Sequence, residues 1–217
     1  MTPAVRSAWA GRTAAEYRSA AVASEMLHWC IVLGVAPDLV AEVHRVVDDE
    51  LNHADMSRAV HEAAGGLPTD VVIARESLSL TICPTETLER RALAAAFQEF
   101  AVHETVALEC FREMRKHALV PIVRSTVDRI ARDEARHRRV GWRLVESLLA
   151  QTGERKWLQT MVAPAVDGVL LAYGTRHAPT AEDLRWGLLD PDAYLRAVRR
   201  ARAGPIAREL ASNILYF

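Results

Sequence analysis

The word Asp-Glu-x-x-His occurs twice in this chain, as Asp49-Glu50-Leu51-Asn52-His53 and as Asp133-Glu134-Ala135-Arg136-His137, the second copy 84 positions after the first. Residues at i and i+3 project from nearly the same face of a helix, so each word aims one carboxylate and one imidazole at a common point. Two such helices, joined by a carboxylate from each of two neighbours, make an inward-facing site for two metal ions in a helical bundle. A single Glu-x-x-His in a charged helix arises readily by chance. Two copies, each preceded by Asp and each on an apolar helical face, call for a fold that brings both helices to one level.

Helical periodicity dominates the chain and no convincing alternating strand is present. The first helix is expected from about Thr13, as its N-cap, to about Leu33. Gly34 supplies a stop, and Ala36-Pro37-Asp38 restarts the chain. A second helix runs from about Asp38 to Ala64 and ends at Gly65-Gly66. Leu67 to Pro84 is polar and Pro-bearing, long enough to cross the length of a bundle. A third helix follows from about Thr85 to His117, and a fourth from Pro121, a good first-turn residue, to Leu149. The expected fold is all-α. Residues 1–153 form a four-helix bundle of two hairpins with a long crossover, and residues 154–217 a helical extension packed on it in the same domain. Within that extension Lys156 to Tyr173 reads as a helix interrupted at Pro164, Gly174 to Pro179 as a loop, and Asp192 to Ala203 as a further helix.

Half the residues are hydrophobic and a quarter charged, enough for a sizeable core in a soluble chain. A net charge of -1 gives no basis for a nucleic-acid partner. The arginines Arg196, Arg199, Arg200, Arg202 and Arg208 read as the solvated face of a helix. No run approaches the roughly 20 apolar residues of a membrane span, and the start lacks a signal-peptide core. Cys30, Cys83 and Cys110 are spaced as buried thiols rather than as a disulfide framework. These features together give the expectation of a cytoplasmic protein.

The third helix offers Glu99, Glu104, Glu109 and Glu113 as further ligands. Glu104 shares its face with Phe97, Phe100, Ala101, Ala107, Leu108 and Phe111, whereas Glu109 shares its face with Thr105, Arg112, Glu113 and Lys116. Height agrees. About 14 residues separate Glu104 from the turn near Ala118, and about 14 more lead down to Glu134, at roughly 1.5 Å each. On the first helix Glu25 matches Glu50 better in height but shares its face with Arg18 and His28. Glu16 lies among Ala20, Ala23, Leu27, Cys30 and Ile31 and is preferred. The expected ligands are Glu16, Glu50, His53, Glu104, Glu134 and His137, whose four carboxylates balance two divalent cations. Uncompensated, four inward glutamates would carry a severe desolvation and repulsion cost.

A ligating imidazole usually donates its other N–H to a carboxylate. Asp49 and Asp133 each point about 100° away from the adjacent glutamate, toward the partner helix. The expected pairs are Asp49 with His137 and Asp133 with His53. His28, His44, His61, His103, His117 and His177 follow no ligand spacing and read as surface or partly buried residues. Tyr17, Trp29, Trp142 and Tyr173 read as core or interface aromatics. Ala20, Ala101, Ala107 and Gly141, beside the ligands, either leave room for a substrate or mark close helix contacts.

With these residues in place the chain resembles the ferritin-like superfamily, and within it bacterial proteins with a Glu about 18 residues before a Gly-x-x-Pro turn. The matching elements are Glu16, Gly34 to Pro37, Asp49 to Ala54, His103 to Thr105 and Asp133 to His137, so the resemblance covers roughly residues 13 to 150. It implies a carboxylate-bridged dimetal centre, usually iron, with manganese as the other metal. Glu50 and Glu134, or one of them with Glu104, would bridge, and His53 and His137 would cap one metal each. The superfamily is broad in function, so the motif implies the site and not the substrate. The expected activity is that of a non-haem diiron oxygenase or oxidase using O₂ and an electron donor on a small organic substrate, possible as a homodimer. Two alternatives stay open: a ferroxidase or iron-binding protein with no organic substrate, and a manganese centre that disproportionates peroxide. The absence of a Cys-x-x-Cys electron module weakens a rubrerythrin-type peroxidase.

Overall fold

The computed structural model describes residues 1–172 and 178–215, and every regular element among them is helical. Thr2 caps the first helix, its hydroxyl accepting from the Val5 amide at 3.2 Å. Pro3 then occupies the first turn, where a missing N–H costs nothing. Helix α1 therefore spans Pro3–Val32, beginning well before the expected Thr13. Thr13 is no cap: its hydroxyl donates to the Trp9 carbonyl at 2.9 Å, one turn back in the same helix. The alanine-rich run from Ala4 to Ala15 sustains the helix through Gly11, so the Thr-Pro pair sets the start.

Gly34 closes α1 at φ +68°, a left-handed conformation that a side chain resists. Helix α2, Pro37–Ala63, returns along α1 as a hairpin. The crossover that follows contains short 3-10 turns at Pro68–Asp70 and Arg75–Ser77. It is fastened to α1 midway, where the amide of buried Leu80 donates to Glu25 Oε2 at 2.7 Å. The third rod is continuous but not uniform. Helix α3, Leu88–Ala95, passes into a π-helical stretch, Ala96–His103, and then into α4, Glu104–His117. Helix α5, Pro121–Thr152, pairs with that rod and stops at Gly153, φ +69°. Since α1 packs on α2, α2 on α5, α5 on the third rod and α3 on α1, the four rods enclose one interior.

In the extension, α6 spans Arg155–Ala172 and runs through Pro164 without the expected interruption. A short helix the sequence reading lacks, α7 at Ala181–Arg185, is held by reciprocal bonds between Thr180 and Asp183. Helix α8, Pro191–Ala201, continues through a π stretch, Arg202–Ile206, into α9, Ala207–Leu210, and a last π stretch, Ala211–Leu215. Tyr173, His177 and most of the expected loop from Gly174 lie outside the described residues. Helix α6 lies on the third rod and α8 on α4. The Trp9 indole of α1 donates to the Trp186 carbonyl at 2.8 Å, and the Tyr194 hydroxyl to the Val169 carbonyl at 2.9 Å. Arg200 keeps the exposure expected for the tail while pairing with Glu109 at 3.3 Å and with Glu113. His61 also departs from expectation. It is fully buried, with Nδ1 2.9 Å from the Arg6 carbonyl and Nε2 3.1 Å from that of Leu67. No helix among the described residues is long and apolar enough to cross a membrane.

The buried side chains fall into two apolar cores. The larger holds Met26, Val43, Phe97, Phe100, Leu144 and Leu148, the smaller Val5, Trp9, Val60, Phe111, Met114 and Ile130. Each long rod passes from one core to the other, and between them lies a layer of charge.

Candidate metal centre

The residues of that layer sit at the changeover point of α1, α2 and α5 and just ahead of it on the third rod, where Val106 still belongs to the larger core. On α1 it is Glu16, between Trp9 and Val22. On α2 it is Glu50 and His53, between Val46 and Val60. On the third rod it is Glu104, and on α5 Glu134 and His137, between Ile130 and Val140. All six sequence-selected ligands thus arrive at one level. Glu50, His53, Glu134 and His137 are at most 2% exposed. Glu16 is buried as well, and Glu104 is half-buried with a face toward a cavity.

Two overlapping quartets result. Ligand atoms of Glu16, Glu50, His53 and Glu134 lie within 4.8 Å of one another, as do those of Glu50, Glu104, Glu134 and His137. Glu50 and Glu134 belong to both quartets; each quartet adds one glutamate and one histidine of its own. Such buried groups could hold a metal ion.

The unpaired atoms point the same way. Glu50 Oε1 and Oε2, Glu134 Oε2, His53 Nδ1 and His137 Nδ1 are buried with no hydrogen-bond partner. His137 Nδ1 is 2.9 Å from Glu50 Oε1 but out of line for a hydrogen bond. Most buried polar atoms in folded proteins are satisfied, so five orphans converging on one spot mark a place for a cation. The opposite edge of each imidazole is occupied. His53 Nε2 lies 3.2 Å from Asp133 Oδ2, and His137 Nε2 3.2 Å from Asp49 Oδ2, each aspartate reaching across from the other helix. With the Nε2 proton shared with the aspartate, a cation bound inside would take the place of the Nδ1 proton and meet its lone pair. The aspartates are themselves held, Asp133 by Arg129 at 2.6 Å and by Arg136 at 3.1 Å, Asp49 by Arg136.

The electrostatics show what this arrangement costs without a cation. Burial, then the neighbouring Glu50 charge, pushes the Glu16 carboxyl up to about 8. Burial and the adjacent Glu134 raise Glu104 well above the carboxylate range. For Glu50 burial acts in the same direction, but the imidazoles of His137 and His53 override it and hold the carboxyl down at about 2. Burial would likewise discharge His53, yet Asp133 and Glu50 lift it to about 10. The cluster therefore takes up protons where divalent ions would otherwise compensate its charge.

The candidates set aside in the sequence go elsewhere. Glu109 pairs with Arg112 and Arg200, and Glu25 fastens the crossover. Trp29 and Trp142 are buried and Tyr17 is exposed. Cys30 is buried, Cys83 and Cys110 partly so, and all three thiols are free. Of the small residues beside the ligands only Ala107 lines a cavity. Gly141 marks a close contact instead, since a Cβ there would come within 2.3 Å of the Phe100 carbonyl carbon.

The cavity itself, about 850 Å³, opens between α1 and the third rod, where those two rods touch little beyond α3. Glu16, Glu50, Glu104 and Glu134 form its inner end, and the extension supplies a wall through Val169, Leu188, Leu189 and Tyr194. Its polar lining includes Arg12, Arg18 and Glu99, which the sequence reading missed or set aside. Arg18 meets Glu99 at 3.3 Å, and His103 Nδ1 lies 3.3 Å from the same carboxylate. The local signals available were the i, i+4 spacings of Arg12 with Glu16 and of Glu99 with His103. The Arg18–Glu99 pair joins two rods and has no signature in sequence. Comparisons with protein-family models, with curated proteins and with solved structures find no match for this chain.

Proposed function

We propose that this chain is a ferritin-like non-haem diiron oxygenase or oxidase that uses O₂ to oxidise a small organic substrate. The observation that supports it is the pair of overlapping Glu/His quartets at the inner end of a cavity of about 850 Å³, a size suited to a small organic molecule. Carboxylate and imidazole donors without thiolate suit iron or manganese better than zinc or copper. In this reading Glu16, Glu50, His53 and Glu134 would hold one ion, and Glu50, Glu104, Glu134 and His137 the other.

Two iron(II) ions held there would supply the two electrons that O₂ activation needs. The chain's own residues do the rest. Asp133 and Asp49 fix the two imidazoles from behind, so that each Nδ1 faces the interior. The apolar cores above and below keep bulk water from the layer, and the cavity holds the substrate against the open side. In this reading an external donor returns the electrons. The cavity favours this reading over a ferroxidase, which needs a path for iron rather than a chamber for an organic molecule.

The test is anaerobic reconstitution with iron(II), followed by mixing with O₂ in the presence of excess iron(II). Two irons per chain and a reaction that stops after one oxidation support the proposal. One iron or none ends the ligand assignment. Repeated oxidation of added iron(II), with a large hollow assembly in light scattering, replaces the oxygenase with a ferroxidase.

A further inference from the structure

We infer that the cavity takes an apolar molecule carrying one carboxylate, and that Arg12 is the residue that holds it. The inference rests on the dimetal reading, because it begins from the charge balance of the cavity once its inner end is neutralised by two divalent ions.

The charged groups lining the cavity can be paired off. Glu16, Glu50, Glu104 and Glu134 belong to the centre, and four carboxylates offset two divalent cations. Arg18 and Glu99 offset each other at 3.3 Å. Asp183 is engaged by Thr2 and Thr180 and caps α7. Arg12 is left over. Its contact with a carboxylate is a marginal one, Nη1 to Glu16 Oε1 at 3.5 Å, and Glu16 is already counted with the centre. Its other polar contact is a thioether, Met114 Sδ at 3.7 Å, a weak acceptor.

The guanidinium is nevertheless held in place. It lies over the Phe111 ring at 4.6 Å from the centroid and near that of Trp9 at 5.8 Å. Stacking occupies the face of a guanidinium and leaves its in-plane N–H edge available, the edge that matches the two oxygens of a carboxylate. A fixed, under-satisfied cation in a largely apolar chamber is a recognition group. With both ions bound the lining charges balance, but the Asp183 carboxylate is taken up by the Thr2 and Thr180 hydroxyls, so the Arg12 guanidinium has room for one carboxylate; a phosphate monoester would bring a second charge with no partner. Much of the cavity lining, among it Ala8, Ala15, Ala107, Phe111 and Leu188, is apolar and fits a hydrocarbon or aromatic body. Arg12 also stands one helical turn from Glu16, so a carboxylate held there brings the rest of the molecule alongside the centre.

The experiment uses the full chain loaded anaerobically with iron(II), its iron content measured, and calorimetric titration with octanoate, octyl phosphate and 1-octanol. Octanoate is expected to bind about tenfold or more tighter than 1-octanol, and tighter than octyl phosphate. Arg12→Gln should abolish the preference for octanoate and leave 1-octanol unchanged, while the iron content stays at two per chain; Arg12→Lys should restore part of it. Equal binding of octanoate and 1-octanol by wild-type protein carrying two irons overturns the anchor and leaves the dimetal reading intact. Stronger binding of octyl phosphate overturns the carboxylate as the recognised group. A wild-type iron content below two removes the charge balance and overturns both readings. Equal wild-type binding overturns the anchor even where the Arg12 variants fail to fold, and a preference for octanoate that survives in Arg12→Gln shows that the ions rather than Arg12 take the carboxylate, overturning it as well.

Discussion

At the scale of single residues, Glu104 and Glu109 of α4 make the sharpest contrast. Glu104 belongs to a quartet at the interior, whereas Glu109 sits in ion pairs with Arg112 and Arg200. Glu104→Ala is expected to lose one of two bound irons or the coupling between them. Glu109→Ala should keep both and cost about 1 kcal/mol or less, because its partner arginines are largely solvated. Iron content and Mössbauer spectra of the two variants decide, and a disturbed centre in the Glu109 variant alone would reverse the assignment. Asp133→Asn keeps the shape that faces His53 but removes the charge. It should retain both metals with affinity or O₂ reactivity reduced roughly 10- to 100-fold; unchanged values would make Asp133 a structural partner of Arg129 only. These residues were legible because helical spacing is local: Glu50 and His53, or Glu134 and His137, reveal their common face within four positions. Arg12 and Glu99 were not, because their meaning comes from residues on other rods.

Among the elements, the hairpins and the crossover could be read from Gly34, Gly65 and the Pro-bearing stretch, each a local stop. The start of α1 was misplaced because Thr13 looks like a cap whereas Thr2 sits at the very edge of the sequence pattern. The π stretch from Ala96 to His103 was invisible, since its apolar residues also fit an α-helix. It ends directly before Glu104, and the backbone of Phe100 and Ala101 within it meets α5 at Gly141. Stretches of this kind often accompany functional sites. The added methyl of Gly141→Ala would meet backbone at 2.3 Å, which no side-chain rotation relieves. The expected loss is about 1–3 kcal/mol, with α5 pushed from the third rod. Urea unfolding measures it, and a neutral result would show that the two rods have slack at the ligand level.

For the molecule as a whole, the charged layer makes stability depend on pH in a definite direction. Glu16 has its carboxyl raised from 4.5 to about 8, so the folded chain keeps a proton that the unfolded chain sheds, and stability falls as pH rises through that window. His53 is raised from 6.5 to about 10, so its contribution is full below 6.5 and is lost as pH climbs through 10. Glu50, lowered from 4.5 to about 2, adds stability above 4.5 that disappears on acidification through 2. Metal-free protein should therefore melt at progressively lower temperature from about pH 6 to pH 10. Iron(II) affinity should rise over the same range, because the ligands must shed protons to bind. Calorimetry on chelator-treated protein checks the first trend, and a melting temperature that climbs with pH would contradict it.

The placement of this layer between two apolar cores also bears on how the rods find their alignment. Slipping one rod by a single turn shifts it about 5.4 Å along its neighbours. Such a slip would carry Glu50 and His53, or Glu134 and His137, in among Val, Leu and Phe side chains, while drawing apolar residues into the charged plane. Hydrophobic contact alone tolerates many such offsets, since one aliphatic side chain substitutes for another at modest cost. Buried ionic groups do not, because each unpaired charge is severely penalised. The six residues that burden the correct fold most heavily thus burden every misaligned one more, and they serve as the key that sets the register of the four rods.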